Sequence, residues 1–240
     1  MLIILPPSET KAHGGSGAAL NWDELSFPAL NPIRQEIAAE LSSLDVDEAL
    51  EVLKLSEKLR GEAESNRELA SSPTMPALER FTGVLYDALD APTLPPEARR
   101  YLAVGDALFG LVRADDLIPH YRLSGGTKLG GRTLKSRWGT AITDELRALV
   151  DADEFLIDMR SGTYQQLGKL KDAATVRVET VQEDGSRKVV SHFNKHYKGE
   201  LARVLALQGE NVSSLENAAR VAQEAGMSTE LRGTELVLVV

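Results

Sequence analysis

Hydroxyls, ammonium groups and guanidiniums gather in a few short stretches of this chain, in patterns suited to an anion. Directly after the apolar run Met1–Leu5, the segment PPSETK offers Ser8, Thr10 and Lys11. If that run is a strand, these groups stand at its carboxyl end, where ligand sites of α/β sheets gather. The other reading is a turn in which Ser8 bonds local backbone. A second stretch, SGGTKLGG, places Gly125-Gly126 and Gly130-Gly131 around Lys128. It lacks the strand-then-helix context of a phosphate loop and reads as a flexible basic loop. A third stretch, from Asn194, carries Lys195 and Lys198 on one helix face, with Gly199 beside them. Gly in mid-helix costs about 1 kcal/mol relative to Ala. A close backbone approach or packing against a neighbouring helix would account for it.

Residues 47–69 read as helix, tight turn, helix, with Ser56 as the cap of the second helix and Lys58 nearby. The free N–H groups of a helix start bind phosphate without reading bases. This is the layout of a helix-hairpin-helix element, although its usual hairpin glycines are absent and Glu57 adjoins the expected phosphate. A plain helical hairpin is the competing reading. His192 and His196 have i,i+4 spacing, but Phe193, Asn194 and Lys195 between them supply no acid, so ordinary polar packing is the default reading and metal ligation the lesser one. No nucleophile elbow is present. The absence of cysteine removes thiolate metal sites, disulfides and a cysteine nucleophile.

A net charge of −9 opposes indiscriminate coating of nucleic acid, yet the charge is uneven. Residues 1–112 hold 9 basic and 18 acidic residues, whereas residues 113–203 hold 16 and 13. Arg113, Arg122, Lys195 and Lys198 fall in that basic block, and a basic cleft in an acidic protein is one outcome. The apolar runs are far too short to span a membrane, and no signal-peptide pattern is seen at the N-terminus. A cytoplasmic protein is expected.

The elements that must position these residues follow from pattern. Met1–Leu5 reads as a buried strand ended by Pro6-Pro7. Helices are expected from Asn31-Pro32, over Asp47–Lys54 and Glu57–Leu69, over Val84–Leu89, Glu97–Leu102 and Thr140–Val150, from Asn194 to about Leu207, and over Ser213–Ala225. Glu154–Met159 is a strand candidate. Ala174–Val181 with Ser186–Phe193, and Met227–Leu231 with Glu235–Val240, read as hairpins. Leu108–Leu123 fits no simple pattern. Residues 1–240 are expected to form a single mixed α/β domain, its mixed sheet flanked by helices.

Taken in order, LPPSETK, RFTGVLYDAL (80–89), LFGLVRADDLIPHYRL (108–123), MRSGTYQQLG (159–168) and SHFNKHYKGELAR (191–203) resemble the YaaA peroxide-stress family over nearly the whole chain, with Trp138 at a shared tryptophan position. The resemblance implies a bacterial protein that helps limit free intracellular iron under hydrogen peroxide. It also implies a fold of its own kind, with a helix-hairpin-helix element and a basic DNA-binding cleft. It carries Ser8, Thr10, Lys11, Gly83, Tyr86, Arg113, Asp116, Tyr121, Arg122, Tyr164, Lys195, Lys198 and Gly199 onto family motifs. Two departures stand out: the family's Arg-Pro-Leu-Asp is Arg113-Ala114-Asp115-Asp116, and the acid before its tyrosine is Thr163.

The expectation is a non-enzymatic monomer, without cofactor or membrane partner, that holds DNA by its backbone. Ser8, Thr10, Lys11, Ser56, Lys58, Arg113, Arg122, Tyr164, Lys195 and Lys198 are the expected contacts. Arg113, Asp116 and Arg122 could instead form a buried ion-pair network. The alternative function is an enzyme acting on a nucleotide or another small phosphorylated ligand in the same cleft. A direct iron binder using His192 and His196 is a third reading.

Overall fold

The structure, a computed structural model, describes residues 1–190 and 193–240. At its centre lies β1 (Leu2–Leu5), whose four side chains are all fully buried. An apolar strand with no polar face must be covered on both sides, and such strands belong to parallel sheets. On one side β1 pairs in parallel with β2 (Leu102–Asp106), which turns back antiparallel into β3 (Gly110–Arg113). On the other side it pairs in parallel with β4 (Leu156–Asp158). Beyond β4 come β5 (Ala174–Val181), parallel to it, and β6 (Arg187–Val189), antiparallel to the far end of β5. The antiparallel pair β7 (Ser228–Arg232) and β8 (Glu235–Val239) completes the sheet, with β8 parallel to β5. The order is β7-β8-β5-β4-β1-β2-β3. The mixed α/β class and the mixed sheet agree with the sequence, as do both hairpins within the described residues.

Seven α-helices among the described residues run six residues or more. They are α1 (Asn31–Ser43), α2 (Val46–Val52), α3 (Arg60–Asn66), α4 (Val84–Leu89), α5 (Ala141–Asp151), α6 (Asn194–Leu207) and α7 (Leu215–Glu224). Asp45 caps α2 through the Glu48 amide at 2.8 Å, and Ser214 caps α7 through that of Asn217 at 3.2 Å. A methyl placed on Gly199 would stand 2.2 Å from the carbonyl oxygen of Leu85, so glycine is what lets α6 lie against α4. The mid-helix glycine serves packing between helices. No helix among the described residues is long and apolar enough to cross a membrane.

Within residues 108–123 only Gly110–Arg113 and Leu117–Ile118 sit in ladders, and side chains from elsewhere hold the segment around them. Arg34, fully buried, donates to the carbonyls of Phe109 (2.8 Å), Ser26 (2.9 Å) and Leu111. Arg80, also fully buried, donates to Ile118 (3.1 Å) and Pro73 (3.2 Å). Trp138 donates its indole N–H to Ala107 at 3.1 Å. These two guanidiniums are thus met mainly by backbone carbonyls, as a desolvated charge requires.

The helix-hairpin-helix expectation is not confirmed. After α2 the chain turns through Lys54, at φ 54°, makes a single 3-10 turn at Glu57–Leu59, and only then enters α3 at Arg60. The second helix is seven residues long and ends at Asn66 rather than Leu69. The Ser56 side chain makes no capping bond. Acids dominate locally: Arg60 pairs with Asp47 (2.7 Å) and with Glu57. A short acidic helical hairpin is what these residues build.

Candidate phosphate-binding cleft

The chain leaves β1 for its neighbour β2 on one side and later returns to β4 on the other, which makes β1 a topological switch point. Ligands of such sheets bind beyond the carboxyl ends of the strands on either side of the switch. Here those ends are Pro6–Lys11 after β1 and Met159–Tyr164 after β4, and a cleft of about 660 Å³ opens between them. Lys195 and Lys198 of α6, Lys169 and Glu235 complete its wall. A second cleft of about 580 Å³ lies between the α2–α3 turn and the glycine loop, lined by Lys54, Arg122 and Lys128. Glu9 lines both clefts and is where they meet.

Glu9 is held firmly. Its carboxylate accepts from the Tyr164 hydroxyl at 2.9 Å, and the Arg122 guanidinium lies 3.5 Å away. Arg122 also donates to the Glu9 carbonyl at 2.8 Å. Burial, then the Glu9 carboxylate, pushes the Tyr164 phenol well up from its usual range, so it stays a neutral donor. Gly125 packs on the Tyr164 ring, where an added methyl would meet ring carbons at 3.1 Å. The other glycine pair, Gly130-Gly131, forms a hairpin turn between Lys128–Leu129 and Arg132–Thr133, with both residues at positive φ. The expected flexible basic loop is therefore a tight hairpin.

Behind Glu9 sits a nearly dry polar cluster. Lys11 is buried, with its ammonium 4.2 Å from the Tyr121 ring centre and 5.3 Å from that of Phe81. Burial pulls its amine down to about 8, against the opposing pull of Asp106 and Glu9. Asp106 ends β2; its Oδ1 accepts from the amides of Leu108 (2.7 Å) and Phe109 (3.0 Å). Its buried Oδ2 has no hydrogen-bond partner among the described residues. Burial raises the Asp106 carboxyl above the usual range. Tyr86 donates to the carbonyl of Pro6 at 2.8 Å. Perturbed groups gathered at the end of a sheet mark a functional site more often than chance.

On the far wall, Arg160 grips Asp158 with two bonds of 2.9 Å, both residues being buried. Lys198 donates to the Met159 carbonyl at 3.2 Å, and burial lowers its pKa against Asp158 and Glu235. Lys195 is exposed. Lys54, Lys128, Lys169 and Lys195 form no ion pair among the described residues.

Of the residues expected from sequence, Arg122, Tyr164, Lys195 and Lys198 line the clefts, and Lys11 lies directly behind them. Ser8 lines neither cleft, and its hydroxyl is committed: it donates to the Thr10 carbonyl and accepts from the Thr82 amide at 3.0 Å. Thr10 accepts from the Thr82 hydroxyl at 3.1 Å. Ser56 and Lys58 are exposed on the helical turn and line neither cleft. Arg113 is elsewhere: it pairs across from Ala103 near the start of β2, its guanidinium donates to Arg100 (3.1 Å), and it lies over Phe27. Nor is there a buried ion pair there, because Asp116 accepts from the Arg113 amide (2.9 Å) and from Ser26 rather than from a guanidinium. His196 pairs with Glu200 at 3.3 Å, and His192 lies outside the described residues. Sequence reasoning passed over Glu9, Asp106 and Arg160. The one signal for Asp106 was that a buried Lys11 would need an acid beside it.

Comparison with known proteins identifies the family. A family model described as peroxide stress protein YaaA matches residues 1–225. A UPF0246 protein of Corynebacterium glutamicum is 63% identical over 235 residues, covering 96% of this chain and 95% of that protein. One from Corynebacterium efficiens is 59% identical with both chains fully covered, and one from Streptomyces coelicolor is 43% identical over 87% of this chain and 84% of its own length. With the family match running from β1 into the last sheet strands' approach, the chain belongs to the YaaA family of peroxide stress proteins.

Proposed function

We propose that this peroxide stress protein holds DNA by its phosphate backbone along the two joined clefts. One observation carries the reading. Lys54, Arg122 and Lys128 on one side and Lys169, Lys195 and Lys198 on the other face a groove whose lining, among the described residues, holds only Glu9 and Glu235 as acids. In a chain of net charge −9, six cations set beside two acids along one groove favour a polyanion there. The groups in the groove are ammonium and guanidinium donors suited to phosphate oxygens, so the contact proposed is to the backbone and not to base edges. In the cell this contact accompanies the limiting of free iron that the family resemblance implies, and cellular iron measured with and without the protein under peroxide tests that part.

Titration of labelled duplexes at several salt concentrations tests the DNA reading. With about five phosphates neutralised, log affinity falls against log salt with a slope of about −4 to −5. Lys195→Ala with Lys198→Ala shallows the slope by about 1 to 2 and weakens all sequences alike. Absence of binding at low salt, or a slope that ignores the double change, removes the proposal.

A second reading is favoured by the buried cluster. A lysine near 8, a buried carboxylate and three buried tyrosines exceed what backbone clamping needs. They suit an enzyme acting on a nucleotide or another phosphorylated small molecule. A thermal-shift screen of nucleotides with wild type and Lys11→Met distinguishes it, since a saturating ligand raises Tm measurably.

A further inference from the structure

Three donor groups converge beside the cleft, on residues that the DNA reading leaves unused. Glu62 of α3 stands between His13, in the loop after β1, and His120, just ahead of Tyr121. His120 Nε2 lies 3.1 Å from Glu62 Oε2, and His13 Nε2 lies 3.6 Å from Glu62 Oε1. The two imidazoles stack with centres 4.2 Å apart, and one ligand atom from each of the three residues lies within 4.8 Å of the others.

The hydrogen bonds decide what can occupy that space. His120 Nδ1 is 3.1 Å from the Ala12 carbonyl, an oxygen that only accepts, so the ring places a proton there. Arg80 donates to the same carbonyl and fixes it. In the neutral ring Nε2 then presents a lone pair to a carboxylate oxygen at hydrogen-bond distance. Two acceptors that close need a positive centre between them. A second proton on His120 would serve that one contact and leave the stacked His13 outside it. A metal ion serves all three donors at once. A ligating histidine whose other ring nitrogen donates to a backbone carbonyl is also the usual outer-shell arrangement of metal sites.

We propose that His13, Glu62 and His120 bind a divalent first-row transition-metal ion. Two imidazoles and one carboxylate suit this class and not Mg²⁺ or Ca²⁺, which prefer all-oxygen sets. The donors must close to bonds of about 2.0–2.2 Å. His13, with a side chain three-quarters exposed, has the freedom to close, while His120 is held nearly buried. Three protein ligands leave coordination positions for water or a ligand oxygen. The ion would tie α3 to the loop bearing Ser8–Lys11 and to the segment bearing Tyr121 and Arg122. That junction is already pinned by Asn66, whose amide pairs with the Arg122 backbone at 2.9 and 2.7 Å.

Untagged, chelator-stripped full-length protein titrated with Co²⁺ should develop visible d–d absorption that saturates at one ion per chain, and Zn²⁺ should compete for it. His13→Ala, which alters an exposed side chain, and Glu62→Gln should each weaken Zn²⁺ binding about tenfold or more. Zn²⁺ should raise the Tm of the wild type and not of His13→Ala. Lack of saturable binding, or affinity that survives both substitutions, overturns the proposal. So does ¹⁵N NMR showing His120 protonated at both ring nitrogens in excess Zn²⁺.

Discussion

Replacing Lys11 with Met removes a charge that the fold keeps in a nearly dry site while preserving most of its volume. Burial takes the Lys11 amine from the ordinary 10.5 to about 8, although Asp106 and Glu9 favour the charged form. The unfolded chain has no such burial, so between those two values it binds more protons than the folded one. Stability therefore rises with pH through this window, and the destabilising contribution is complete only below the folded value. Linkage gives a gain of about 1 kcal/mol between pH 7 and pH 9. For a chain of this length that is about 2–4 °C in Tm. Lys198 shifts in the same direction but is present in both proteins, so the difference between wild type and Lys11→Met isolates Lys11. Thermal unfolding across pH reads the first quantity. Lysine ¹³Cε NMR reads the second, as one resonance with a midpoint near 8. If Lys11 titrates with the surface lysines and the two proteins share one pH dependence, the cluster is wet and Lys11 is not desolvated there.

Glu9→Gln should keep the Tyr164 bond yet remove the acid at the meeting point of the clefts, tightening duplex binding severalfold at low salt; weaker or unchanged binding in the same titration counts against the shared groove. Gly199→Ala should cost about 1–3 kcal/mol in urea unfolding, because its methyl meets the Leu85 carbonyl and α4 must shift. Arg34→Met should cost about 3 kcal/mol or more by the same assay, since the carbonyls of Ser26, Phe109 and Leu111 lose their shared donor.

Local chemistry made the regular elements legible. The apolar run before Pro6-Pro7, the helix Val84–Leu89 and the helix from Asn194 to Leu207 match the structure closely. Residues 108–123 were opaque because their strands are short and much of their order comes from Arg34 and Arg80, buried cations that no window around the segment contains. The α2–α3 region misled for another reason: Ser56 looks like a cap, but the acids around Arg60 and the non-capping Ser56 leave only a 3-10 turn there. At the site, a search for positive charge found Arg122, Lys195 and Lys198 and passed over Glu9, which has the wrong sign for an anion yet positions Tyr164 and Arg122. Sign alone also grouped Arg113 with them, whereas strand direction puts it near the other end of β2. His13 and His120 are far apart in sequence, and spacing rules favoured His192 and His196 instead.

The central place of β1 has a consequence for how the protein is made. Ile3 pairs with Leu102 and with Ile157, partners that leave the ribosome roughly a hundred and roughly a hundred and fifty residues later. At about 5–20 residues per second, the strand waits on the order of ten seconds before both neighbours exist. Throughout that time four consecutive apolar side chains have no sheet to enter, and the Pro6–Lys11 loop has no opposite wall. Pairings this distant also slow folding once synthesis ends, because loop closure precedes the contacts that reward it. The cleft is thus among the last features to form, and a nascent chain stalled before residue 156 exposes a sticky edge in place of a binding site.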